Sequence, residues 1–167
     1  RFRLIVCVHD LAETPVATGD ERNCWVPVSQ FRPWLARLDT TATQTGVTVE
    51  LTSDDAFASD YTELLPLLLD AGRTATFFIP TAFIGRPGRL DVAQIREMHR
   101  LGMRIGTHGT HHVPWARIPR AEAHADILDS IARLEDLIGA PITSAAPPFG
   151  SIDRHAVGLL RDDGITE

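Results

Sequence analysis

Apolar stretches of strand length alternate with longer amphipathic stretches along most of this chain, and that alternation leaves few folds open. Residues 2–8 and 47–51 are short apolar runs rich in residues that suit pleated, buried strands. Residues 61–71 carry Leu64, Leu65, Leu67, Leu68 and Leu69 and stop at Gly72, the C-terminal signal of a helix. Residues 75–79 are strand-like and end at Pro80. Residues 92–101 then place Val92, Ile95 and Met98 at helical spacing before Gly102. After a strand over 103–105 comes the longest helix, 120–138, with Ile127, Ile131, Leu134 and Ile138 on one face and Gly139 beyond it. Short strands separated by helices of this length predict a parallel sheet with helices packed on it, an α/β fold. In such folds, doubly wound or closed toward a barrel, functional side chains sit at the C-terminal ends of strands.

A chain of 167 residues can bury one real core and is short for two. Residues 1–167 are therefore expected to form a single domain, with an irregular N-terminal part over 1–46 and a core over 47–167. Pro15, Gly19, Pro27 and Pro33 interrupt the first part, although Ser29 ahead of Phe31, Trp34, Leu35 and Leu38 predicts a helix capped near Ser29. A net charge of -6 without a basic cluster argues against nucleic-acid binding. No stretch is apolar and long enough to span a bilayer, and no signal-peptide pattern precedes the first strand. The chain opens on Arg1 rather than methionine, and localisation stays open. Cys7 and Cys24 are too few for a disulfide scaffold, and Cys7 reads as a small buried thiol within a strand.

Two clusters carry chemistry. Asp54 and Asp55 follow the strand-like run ending at Leu51, and His108, His111 and His112 follow the one ending at Ile105. A carboxylate and two imidazoles can hold a divalent metal with one position open, and a second aspartate beside them is a ready general base. His108 and His112 are four apart, but Gly106, Gly109 and Pro114 favour a loop over a helix; His111 would need another loop path to reach the same point. Taken alone, Asp54-Asp55 reads as a helix cap. His9, His99, His124 and His155 read as surface or satisfied core histidines, and Trp115 as a core residue or a stacking platform. The joint placement of both clusters after successive strands points to metal-assisted hydrolysis.

The segment Thr52-Ser53-Asp54-Asp55-Ala56 resembles the Thr-Phe-Asp-Asp-Gly motif of polysaccharide deacetylases of the NodB-homology type, carbohydrate esterase family 4. His108-Gly109-Thr110-His111-His112 resembles their His-Ser/Thr-x-x-His motif, and Ala146-Pro147-Pro148-Phe149-Gly150 their Arg-x-Pro-Tyr-Gly motif. The motifs come in the family's order over 47–164. The resemblance implies a distorted parallel-strand (β/α) barrel. It implies that Asp55, His108 and His112 bind a divalent metal, zinc first, that Asp54 is the catalytic base, and that the Phe149 backbone N–H helps hold the oxyanion. The substrate it implies is an acetylated polysaccharide or oligosaccharide, deacetylated at nitrogen or oxygen.

Besides Phe149 in place of tyrosine, four positions depart from the pattern. Ser53 replaces phenylalanine, Ala56 glycine, and Gly109 the Ser/Thr that steadies the histidine loop; Ala146 replaces an arginine that positions the catalytic aspartate. The family's later motifs, including the Leu-x-His that supplies a general acid, are not reached before Glu167, so the barrel is expected to be C-terminally incomplete. The leading expectation is a metal-dependent glycan deacetylase. The alternatives are a silent homologue that binds metal or carbohydrate and a hydrolase of a small non-sugar amide.

Overall fold

The computed structural model describes residues 2–14 and 24–167. The strands are β1 (Arg3–Val8), β2 (Thr48–Asp54), β3 (Thr76–Ile79) and β4 (Arg104–Thr107), and the α-helices are α1 (Val28–Thr45), α2 (Leu65–Asp70), α3 (Val92–Arg100), α4 (Arg120–Ile138) and α5 (Arg154–Asp162). The strands pair in parallel in the order β1-β2-β3-β4, as expected of an α/β fold. Among the described residues the sheet stays open, in keeping with the expectation of a C-terminally incomplete barrel. Closing a sheet around filled side chains takes about eight strands. A bridge from Thr107 to Ala145 extends the β4 edge.

Strand alternation sorts the residues. Leu51, Phe77, Ile79 and Ile105 face the helices and are buried with Leu68, Ile95, Met98, Ile127 and Leu134 in one apolar cluster. Each such side chain contributes roughly 2 kcal/mol by leaving water. Thr52, Asp54, Thr76 and Phe78 alternate with that set and face the other way. There Gly106 is required: a Cβ would stand 2.6 Å from the Phe78 ring and 2.8 Å from Ser144 Oγ.

Helix ends follow the sequence where glycine or a polar cap sets them. Gly139 closes α4 in the left-handed conformation, and Asp91 caps α3 in a reciprocal pair with Gln94. Three expectations change. The helix predicted over 61–71 begins as a π turn, Asp60–Leu64, because Pro66 has no N–H and crowds the carbonyl four residues back; Leu65 N–H reaches Asp60 O instead. Ser29 does not cap α1, whose N-cap is Pro27; its N–H and hydroxyl donate to Glu13 at 2.8 and 3.2 Å. Helix α5 was not anticipated, although Asp153 caps it by accepting from Ala156 N–H at 2.9 Å. Pro15 and Gly19 lie outside the described residues. No helix is long and apolar enough to cross a membrane among those described.

Candidate active site

The face of the sheet turned away from the helices changes character along the strands. At the N-terminal ends it carries ion pairs, with Arg104 Nη1 2.7 Å from Glu167 Oε2 and Arg3 Nε 3.5 Å from Glu50 Oε1. At the C-terminal ends it carries a cavity of about 390 Å³ lined by His9, Asp54, Asp55, His108, His112 and Phe149. Four separate stretches of sequence thus meet at one end of the sheet.

Asp54 is the last residue of β2, and Asp55 leaves the strand with φ 73°. Neither caps a helix, because Ser59 precedes the next helical turn. The Asp55 side chain is 4% exposed; its Oδ1 lies 3.1 Å from His112 Nε2 and 3.6 Å from His108 Nε2. That oxygen is buried and accepts no hydrogen bond. A buried orphan oxygen facing two imidazole nitrogens fits a divalent cation, which would satisfy all three at once. His108 Nδ1 lies 2.6 Å from Ala146 O, and a carbonyl only accepts, so Nδ1 carries the proton and Nε2 offers its lone pair to the cluster.

The loop 108–112 is held by Asp126 of α4, a residue that the sequence did not single out. Asp126 accepts from the His111 backbone N–H at 2.8 Å and from Trp115 Nε1 at 3.1 Å, and lies 3.0 Å from His111 Nδ1. His111 is thereby turned away from the cluster. Trp115 is 2% exposed and belongs to the core, so it offers no stacking surface. Gly109 has φ 73°, and a Cβ on it would collide with the Asp126 carboxylate. The Ser/Thr of the family pattern has no room here. Gly109 N–H donates instead to Thr107 Oγ1 at 3.1 Å.

The non-glycine residues with positive φ are Asp55, Ala56, His112 and Phe149, all at this site among the described residues. Such conformations cost about 1–3 kcal/mol each and persist where the surroundings impose them. Ala56, in the family's glycine position, is 1% exposed, so its buried methyl offsets much of that cost. Ser53, in the phenylalanine position, donates to Asp60 Oδ1 at 2.6 Å. Asp60 is fully buried, and its other oxygen has no partner.

Asp54 is the weakly supported member. Its Oδ1 is buried without a hydrogen bond, and His108 Nε2 lies 3.9 Å from Oδ2. Burial pushes its carboxyl above the usual range and Asp55 adds to this, opposed by His108, His9 and the Cys7 thiol. Beside it a recess of about 290 Å³ reaches Ala146 and Ser144, in the region where the family pattern would place its arginine. His9 corrects the sequence reading. It lines the cavity, with Nε2 3.9 Å from Asp55 Oδ2. The signal was its place directly after a strand, which it shares with Asp55 and His108. Cys7 is corrected as well: it lies exposed on the edge strand, with its sulfur turned toward Asp54.

Residues 41–167 match the family profile described as polysaccharide deacetylase. The chain belongs to the polysaccharide deacetylase family. It is 26% identical over 116 residues to YxkH of Bacillus subtilis, covering 70% of this chain and 42% of that protein, so it spans less than half the length of this curated relative. The fold is that of the deacetylase PplD from Streptococcus pyogenes, solved with acetate, at a TM-score of 0.82 and 18% identity over 96% of this chain and 80% of that one. IcaB from Ammonifex degensii superposes at 0.79 with 20% identity, covering 98% and 81%.

Proposed function

We propose that this polysaccharide deacetylase homologue removes acetyl groups from an acetylated glycan, with Asp55, His108 and His112 as ligands of a divalent metal, zinc first. The observation that carries the reading is the buried, unbonded Asp55 Oδ1 facing His108 and His112 in the cavity that also holds Asp54. We also take 1–167 as one domain, because Val8, Phe31 and Leu35 share the apolar cluster of the later residues.

When bound, the cation would polarise the acyl carbonyl and acidify water at the site. Asp54 takes the proton of the attacking water as the bond to the acyl carbon forms. The backbone N–H of Phe149, whose positive φ turns the chain at the cavity wall, donates to the developing oxyanion. His9 supplies a proton to the departing amine or alcohol, so acetate and the free sugar group result. The exposed Phe149 ring, 4.7 Å from the His112 ring, gives a sugar a surface to stack on and favours a glycan over a small buried amide.

Acetate release from acetylated chito-oligosaccharides, measured with one equivalent of zinc, tests the reading. Release should fall at least about 100-fold in Asp54→Asn. Release at background in the wild type would leave the second reading, a homologue that binds metal without turnover. That reading draws on Asp54 Oδ1, which is buried without a hydrogen bond.

A further inference from the structure

Strand alternation places a second donor set beside the first. The β1–β2 register pairs Cys7 with Thr52, so Cys7 and Asp54 share a face, and His9, two residues after Cys7, ends on the same side. One ligand atom from each of Cys7, His9 and Asp54 lies within 4.8 Å of the other two, with Cys7 Sγ 4.0 Å from His9 Nδ1. Tetrahedral zinc bound by a sulfur and a nitrogen holds the two about 3.6 Å apart, a small adjustment from this geometry. The other ring nitrogen, Nε2, lies 3.9 Å from Asp55 Oδ2, which leaves Nδ1 as the nitrogen on the Cys7 side.

We propose that Cys7, His9 and Asp54 form a second site for a thiophilic divalent cation, and that filling it stops turnover. Thiolate, imidazole and carboxylate together select zinc, cadmium or cobalt over magnesium or calcium. On binding, Cys7 releases its proton to solvent and the sulfur lone pair goes to the cation. Asp54 and His9 are then spent as ligands, so base and acid are lost together. The inhibitory half of this inference rests on the roles given to Asp54 and His9 above; the binding half does not.

Cobalt separates the sites because only the second contains sulfur. Metal-free protein titrated with Co²⁺ should develop a thiolate-to-cobalt absorption band in the near ultraviolet. The band should vanish in Cys7→Ser and persist in Cys24→Ser, a needed control because Cys24 also borders the cavity. It should also persist in His112→Ala, which damages the first site alone. No band at excess cobalt, or a band that survives Cys7→Ser, overturns the site. In acetate release, excess Cd²⁺ over zinc-loaded enzyme should slow the wild type at least about tenfold and change Cys7→Ser less than about twofold relative to its own rate. Equal inhibition of both overturns the switch. If no acetate is released under any condition, the deacetylase reading fails and the cobalt band alone decides whether the second site exists.

Discussion

His108 is anchored through Nδ1 by the backbone carbonyl of Ala146, at 2.6 Å. The anchor needs no side chain at 146, so the loss of arginine there leaves the histidine fixed and deprives only Asp54. In Ala146→Arg, a guanidinium entering the recess of about 290 Å³ would pair with Asp54. We expect kcat to rise about tenfold with zinc affinity unchanged within about threefold, read by acetate release and zinc titration.

The same pair sets a pH dependence. Burial, with Asp55, raises the Asp54 pKa, so its base form is lost as pH falls through a value above the ordinary one. The rate should therefore decline on the acid side at higher pH than an unperturbed aspartate allows, and Ala146→Arg should move that limb to lower pH. A limb that stays in place in the variant argues against Asp54 as the base.

His9 gives a sharper partition. His9→Gln keeps a polar side chain of similar reach without a titrating group. It should lower kcat about 100-fold or more while leaving cobalt binding at Asp55, His108 and His112 intact.

Asp126 makes the histidine loop a matter of stability as well as of ligand geometry. Asp126→Ala orphans the His111 backbone N–H and Trp115 Nε1, and should cost about 2–4 kcal/mol in urea denaturation. Zinc affinity should fall about tenfold or more as the loop loosens.

Asp60 acts in the opposite sense. Its pKa is raised well above the ordinary 3.8, by burial first and then by nearby carboxylates, despite the Ser53 hydrogen bond. The folded state therefore holds a proton that the unfolded chain releases, and stability drops as pH rises from about 3.8 toward the folded value. Asp60→Asn should flatten that slope in chelator-treated protein, gaining roughly 1–3 kcal/mol near neutral pH and little near pH 4.

What the sequence made legible follows from local physics. Glycine stops and short apolar runs predicted β1 to β4, α3 and α4; the clusters after successive strands singled out Asp54, Asp55, His108 and His112, the family resemblance added Phe149, and the fold brings all five to one cavity. Asp126 was hidden because its role is a contact across 15 residues, between a helix and a loop. His9 was hidden because a lone histidine carries no spacing signal; only the pairing of β1 with β2 brings it to Asp55. The π turn at Asp60–Leu64 was hidden within an unbroken leucine pattern that Pro66 disrupts from inside.

The central claim is that a cation held by Asp55, His108 and His112 drives deacetylation. The most direct test is acetate release by chelator-stripped protein given one equivalent of zinc. We expect no release before addition, full recovery after it, and none in His112→Ala although that variant folds. Undiminished release by the stripped protein, or recovery in His112→Ala equal to wild type, would contradict the account.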